Sequence, residues 1–302
     1  MIGGEAAMPE GGEKRGACMP SFPIVDSHVH LYDPKHLSYP WLAGVQPINR
    51  RFDLGDFDRC RGPVEVEKIV FAEVAVGPGL HVDEAAWVQK LADADRRLCG
   101  MVAHAPVENG AAVAADLEKL AAFPILRGIR RLIETEANPS FALEPGFVEG
   151  VKTVGRHGLP FDICVKHWSL VFGVELAKRC PDVQFVLDHI GKPGIRQGIA
   201  EPWKSQIREL SRMPNVVVKI SGVVTEADHK SWDKEQVKPY VAHVIECFGF
   251  DRCLFGSDWT VSELTHRYPQ WPEIVDEVIE GCSEAEARQL YRDTAERIYR
   301  LA

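Results

Sequence analysis

The chain has 302 residues, 45% of them hydrophobic and 26% charged, so a sizeable core can be buried and disordered or fibrous classes are excluded. Its formal net charge of −9 comes without a long basic run, which excludes the Lys/Arg footprint of a nucleic-acid binder. The length exceeds the roughly 250 residues of one α/β barrel but falls short of two full-sized domains, so a single domain is expected.

Residues 1–22 are Gly-rich and polar, without the apolar segment of a secretory signal, and are expected to form a flexible N-terminal arm ahead of a domain over 23–302. From Pro23 onward, short β-branched runs alternate with stretches of helical periodicity, the pattern of parallel βα units. Strands are predicted over 24–28, 68–74, 98–103, 126–131, 160–164, 183–188, 216–220 and 253–256. A connection over 31–67, with Tyr32, Tyr39, Trp41 and several prolines, is long enough to be a lid or plug, or to carry small helices. A helix over 84–96 places Ala85, Val88, Leu91 and Ala92 on one face, and Ser283 with Glu286 forms a capping-box pattern before the buried stripe Leu290, Ala295, Ile298. Eight such strands imply a (β/α)8 TIM barrel. No apolar stretch approaches the roughly 20 residues of a membrane span. Cys18, Cys60, Cys99, Cys164, Cys180, Cys247, Cys253 and Cys282 include no CxxC pair, which predicts reduced thiols in a cytoplasmic protein.

Three segments could carry chemistry. In Val25-Asp26-Ser27-His28-Val29-His30, His28 and His30 lie two apart at the C-terminal end of the first strand, the catalytic rim of such a barrel, and would form half a metal site. In Phe185-Val186-Leu187-Asp188-His189-Ile190-Gly191-Lys192-Pro193, His189 follows an apolar sixth strand, and the turn holds Lys192 near the same rim. In Cys253-Leu254-Phe255-Gly256-Ser257-Asp258-Trp259, the eighth strand delivers Asp258, a potential metal ligand and proton acceptor. Each has an ordinary reading beside this one, a structural histidine or an aspartate capping a turn. Their convergence at one rim favours the chemical one.

With these motifs, Leu126-Arg127-Gly128-Ile129-Arg130 at strand four and Gly158-Leu159-Pro160-Phe161-Asp162 before strand five, the chain resembles the amidohydrolase superfamily over essentially residues 23–301. Within it, the chain is similar to the sugar-lactonase branch of L-fuconolactonase and L-rhamnonolactonase. The resemblance implies that His28, His30, His189 and Asp258 occupy the ligand positions of strands one, six and eight. Strand four carries Arg130 and Arg131 instead of a lysine that could be carbamylated, so at most one divalent ion is implied, zinc before manganese, and some relatives do without one. Glu73 is a further candidate ligand or a paired carboxylate, and His167 a candidate substitute ligand.

The reaction implied is opening of a small-molecule lactone by water held by a metal or by histidines, with Asp258 as general base beside His189. Arg130, Lys166, His167 and Lys192 are candidates to face the carbonyl oxygen, Arg130 alternatively to grip a substrate carboxylate. Ordinary salt bridges are the alternative for these cations. Trp259, Trp168 and Tyr32 either line a sugar pocket or fill space. The competing enzyme is a metal-dependent decarboxylase of an aromatic or dicarboxylic acid on the same barrel. A non-catalytic sugar-acid sensor is disfavoured, because a sensor needs no base beside three histidines. No nucleic-acid or membrane partner is expected, and a homo-oligomer is compatible with the sequence.

Overall fold

The structure, a computed structural model, describes residues 20–302. Most of the expected N-terminal arm, residues 1–19, lies outside the described residues; Phe22 at its end is buried with its ring 6.4 Å from that of Tyr291.

Eight strands, β1 (Ile24–Val29), β2 (Val66–Ala72), β3 (Leu98–His104), β4 (Leu126–Arg130), β5 (Phe161–Ile163), β6 (Phe185–Leu187), β7 (Val216–Ile220) and β8 (Cys253–Phe255), each pair in parallel with the next. The ring closes where the Asp258 N–H donates to His28 O at 3.0 Å and Val29 bridges to Trp259. The fold is the expected single-domain (β/α)8 barrel. Helices lie between successive strands, the expected 84–96 segment running from His81 to Ala94. The Ser283–Glu286 capping box forms, and the helical run it opens passes through a π turn at Gln289–Asp293 before ending at Tyr299. Among the described residues no helix is long and apolar enough to cross a membrane. Cys60, Cys99, Cys164, Cys180, Cys247 and Cys253 are free thiols.

The barrel interior is layered, because inward-facing positions recur every second residue along a strand. A lower apolar layer contains Val25, Val70, Val102, Val186, Val217 and Leu254, closed from below by Tyr299 and Leu301. Two residues further along their strands, Val186 and Val217 give way to Asp188 and Lys219. The interior therefore changes from oil to charge within one layer, and the charged layer is the floor of the site.

Strand β1 cannot reach the site by simple alternation, since Val25 and His28, three apart, both face inward. A register shift against β2 between Asp26 and Val29 resolves this by inserting the extra residue of a bulge. Asp26 anchors the shifted segment: its Oδ1 accepts from the Ser257 N–H at 2.9 Å and its Oδ2 from the Tyr268 hydroxyl at 2.9 Å. Just past β8, a Cβ on Gly256 would lie 2.9 Å from that of His28, so only glycine leaves room there.

The connection over 31–67 is not structureless. It carries 3-10 turns at Pro40–Gly44 and Gln46–Ile48 and a helix at Leu54–Cys60 opened by an Asp53/Asp56 capping box. It is tied over the rim by Trp41 Nε1–H donating to Val74 O and the Gly77 N–H to Ser38 O, each at 2.8 Å.

Candidate active site

At the C-terminal rim a cavity of about 230 Å³ is lined by His30, Trp41, Glu73, Val74, Ala75, Arg130, Leu132, Glu134, Thr135, Cys164, His189, Lys192, Asp258 and Val261. Among the described residues six non-glycine residues have left-handed φ, and four of them, Ala75, His189, Lys192 and Asp258, line this cavity. Such conformations cost about 1–3 kcal/mol each and persist only where the surroundings impose them. Strain is thus concentrated where side chains must be aimed inward.

Asp258 Oδ1 lies at the centre of three imidazoles, 3.3 Å from His30 Nε2, 3.8 Å from His28 Nε2 and 3.9 Å from His189 Nε2. The tautomers follow from the outer partners. His30 Nδ1 faces only the carbonyl of Ala72, at 2.9 Å, so Nδ1 carries a proton and donates it. His28 Nε2 lies 3.2 Å from Arg130 Nη1 and Nδ1 lies 3.2 Å from Lys219 Nζ, both donors only, but Nδ1 also has Asp188 Oδ1 as an acceptor, so the proton sits on Nδ1 and Nε2 accepts. His28 Nδ1–H is directed at Asp188 Oδ1, 3.4 Å away, an oxygen it shares with Lys219 Nζ at 3.0 Å. His189 Nδ1 lies 2.9 Å from Ser221 Oγ.

Burial, reinforced by Lys219, pushes His28 well below its ordinary pKa, and burial takes His189 down to about 4, so both are neutral at pH 7. Burial alone would raise Asp258, but His189, then His30 and His28, hold it well below the usual carboxylate range.

This arrangement fits a small cation. His30 Nε2 and Asp258 Oδ1 both present lone pairs to each other at 3.3 Å, which is repulsive unless a proton or metal ion lies between them. Two ligands each about 2.1 Å from a tetrahedral zinc stand about 3.4 Å apart, near the observed spacings. His28, His30 and Asp258 form a compact donor group, as do His28, Asp188 and His189. Asp188 is already committed to Lys219 and Arg130, so the donors left open serve one ion.

Below these groups runs a buried ionic floor that sequence reasoning missed. Lys219 Nζ contacts Asp162 Oδ2 at 2.6 Å and Asp188 Oδ1 at 3.0 Å, with all three side chains fully buried. Arg130 Nε donates to Glu73 Oε1 at 2.8 Å, its Nη2 to Glu73 O at 2.5 Å and its Nη1 to Asp188 Oδ2 at 2.9 Å. With His28 on the second Nη1 hydrogen, all but one N–H of the guanidinium is committed. Arg130 therefore cannot present a paired fork to a substrate carboxylate. Glu73 is held below its ordinary pKa, Arg130 offsetting the effect of burial, and acts as the partner of Arg130. Its alternative reading as a paired carboxylate is the one the geometry favours. A signal was present for Lys219: a lysine within the otherwise apolar run Val216-Val217-Val218-Lys219-Ile220.

Five expected substrate contacts lie outside the cavity wall. Trp259 is fully buried, its ring 5.3 Å from that of Phe57 and 5.5 Å from that of Phe52, and Tyr32 is buried with its hydroxyl donating to Ile48 O at 2.9 Å. Trp259 thereby pins the long connection to the barrel, and Tyr32 does so by accepting from the Thr260 hydroxyl at 2.9 Å. Lys166 reaches Glu226 at 3.6 Å, and His167 lies against Gly194, its N–H donating to Lys192 O. Lys192 does line the cavity, paired with Glu134 at 2.7 Å. The aromatic wall is Trp41, supplied by the long connection, while Trp168 is exposed to solvent.

A family model described as amidohydrolase matches residues 25–301, nearly the whole barrel. The chain belongs to the amidohydrolase family. Among amidohydrolase relatives, the chain is similar to L-fucono-1,5-lactonase of Burkholderia multivorans, 30% identical over 92% of this chain and 96% of that protein. It is also similar to L-rhamnono-gamma-lactonase of Scheffersomyces stipitis, 24% identical over 94% of this chain and 100% of that protein. A crystal structure of an amidohydrolase from Burkholderia multivorans with bound zinc superposes with a TM-score of 0.82, at 27% identity over 93% of this chain and 100% of that one.

Proposed function

We propose that the protein is a lactonase that opens the ring of a sugar-acid lactone of the L-fucono- or L-rhamnono- type. The observation that carries this reading is the ionised Asp258 oxygen set among three imidazole Nε2 atoms at the floor of a cavity large enough for one small ring. Similarity to the two sugar lactonases supports the substrate class. A zinc ion would be held by His30, His189 and Asp258, with His28 joining them only where its Nε2 exchanges the Arg130 N–H for the metal, and would supply Lewis acidity and lower the pKa of a bound water.

The chain's own residues do the rest. Asp258, kept ionised by its neighbours, accepts the proton of the attacking water. Negative charge then develops on the lactone carbonyl oxygen, where the uncommitted N–H of Arg130 is the available fixed donor. Ser221 and Ala72 hold the rings of His189 and His30 so that both Nε2 atoms stay turned to Asp258.

The test is a panel of sugar and aromatic lactones followed by proton release with a pH indicator. Turnover of a sugar lactone that disappears in Asp258→Asn, with the melting temperature retained, supports the reading. Near-normal rates in that variant would remove the base, and carbon dioxide evolution from aromatic acids with no lactone opened would replace the reading with a decarboxylase.

A further inference from the structure

Two cations line the cavity, Arg130 and Lys192, and each is already paired with a carboxylate. Arg130 has one N–H left, the other four being held by the floor and His28. The Lys192–Glu134 pair stands differently, because it is part of the wall and is only partly spent. Lys192 Nζ lies 2.8 Å from Glu134 Oε1 and 2.7 Å from Oε2, and although Oε2 is shut off from solvent, 14% of each side chain stays exposed at the wall, which leaves ammonium hydrogens and carboxylate lone pairs unspent. Lys192 lowers the Glu134 carboxyl below its ordinary pKa against the effect of burial, so the carboxylate is an anionic acceptor.

Local backbone strain keeps the pair at the wall. His189, Ile190, Gly191 and Lys192 all have left-handed φ, between 44° and 72°, which turns the chain sharply after β6. The main chain of Glu134 is fixed in turn by its N–H donating to Cys164 O at 3.1 Å. Across the ring from these strand-four and strand-six loops stands Trp41, carried by the loop after strand one, an apolar platform suited to the C–H face of a sugar ring.

A hydroxyl both donates and accepts, so it can satisfy the Glu134 carboxylate and the ammonium of Lys192 together. A carboxylate only accepts, and it would meet Glu134 as a like charge. Resting on the lactonase reading above, we propose that Glu134 and Lys192 are the specificity-determining residues, selecting a neutral lactone with adjacent free hydroxyls and rejecting lactones that carry a carboxylate.

The experiment compares kcat/KM of the full-length enzyme on three probes: a six-carbon aldono-1,4-lactone, a γ-alkyl butyrolactone lacking the free hydroxyls, and a γ-lactone bearing a carboxymethyl group. The wild type should favour the aldonolactone over each of the others by at least about tenfold, the minimum for a lost hydrogen bond to a charged group. In the double variant Glu134→Gln/Lys192→Met, which leaves no buried charge unpaired, the preference over the alkyl lactone should fall about tenfold. In Glu134→Gln alone, relative activity on the carboxymethyl lactone should rise about tenfold as the like charge disappears. A merely structural pair would lower all three rates together and leave both ratios in place, and that result overturns the proposal. So does a wild-type preference for the carboxymethyl lactone, which needs no variant. Failure of the wild type on every lactone would overturn the lactonase reading itself.

Discussion

Replacing Lys219 by methionine tests whether the ionic floor is as tightly coupled as its distances imply. The ammonium is fully buried between Asp162 Oδ2 at 2.6 Å and Asp188 Oδ1 at 3.0 Å, and it adjoins His28 Nδ1 at 3.2 Å. Methionine keeps the volume but leaves two buried carboxylates with one cation fewer, and loss of one partner from such a pair costs about 3–5 kcal/mol. At about 2–4 °C per kcal/mol for a domain of this size, the melting temperature at pH 7.5 should fall by roughly 6–20 °C. Burial already raises the Asp162 carboxyl to about 6, and losing Lys219, its largest stabilising partner, would raise it further. In the variant that group takes up a proton as the pH falls, so the deficit should be smaller at pH 5.5 than at pH 7.5. Adding Asp162→Asn to Lys219→Met should recover at least about 1 kcal/mol, a coupling that the double-mutant cycle isolates. Thermal unfolding by circular dichroism at both pH values is sufficient. A single variant melting within 2 °C of the wild type, taking roughly 1 kcal/mol as the corresponding limit, or a double variant no more stable than the single one, would refute the coupled floor.

Gly222 has φ +56°, and a Cβ there would lie 2.5 Å from His189 Nδ1 and 2.7 Å from Asp258 Oδ2, so Gly222→Ala should cut turnover by about 100-fold or more with the fold retained; a rate within threefold, well under roughly 1 kcal/mol, would show that neither side chain needs its observed position. His266 is brought down to about 4 by burial, Asp258 opposing only in part, whereas the unfolded side chain titrates near 6.5. Its contribution is therefore present above pH 6.5 and lost as the pH falls through 4, about 2–3 kcal/mol at pH 4.5, and His266→Gln should lose correspondingly less stability than the wild type between pH 7 and 4.5; equal losses would dismiss this group as an acid trigger. Zinc titrated into chelator-treated protein should raise the melting temperature with a stoichiometry near one, and His30→Ala should weaken that effect strongly, whereas binding unchanged in the variant would place the ion elsewhere.

All eight strands were legible because parallel barrel strands are buried on both faces and read as unbroken apolar runs, such as Phe185-Val186-Leu187 and Val216-Val217-Val218. Boundaries were less so: β5 and β6 are each only three residues long, since the flanking residues leave the ladder to build the rim. The gathering of His28, His30, His189 and Asp258 followed from their positions after strands. The means of gathering did not, because the bulge in β1 is fixed by Ser257 and Tyr268, more than two hundred residues away. Trp259 and Tyr32 illustrate a further limit. An aromatic next to a catalytic strand serves a pocket or a core equally well by composition, and here the partners Phe52 and Phe57, in the long connection, take Trp259 into the core. Lys166 and His167 follow a strand so short that the next turn carries them past the cavity.

The floor and the strain explain each other. An apolar layer of equal volume beneath His28 would give at least as much stability, because desolvating the carboxylates and cations offsets most of their attraction. It would also leave the imidazole free to rotate and exchange its tautomer. Asp188 on Nδ1 and Arg130 on Nε2 remove that freedom: either alternative ring orientation would set a proton against a guanidinium or a lone pair against a carboxylate. The left-handed residues His189 and Asp258 serve the same end from the other two strands, since each leaves its strand abruptly enough to aim its side chain back over the barrel axis. Stability is lost at just those positions whose displacement by about 1 Å would separate Asp258 from the water it must deprotonate.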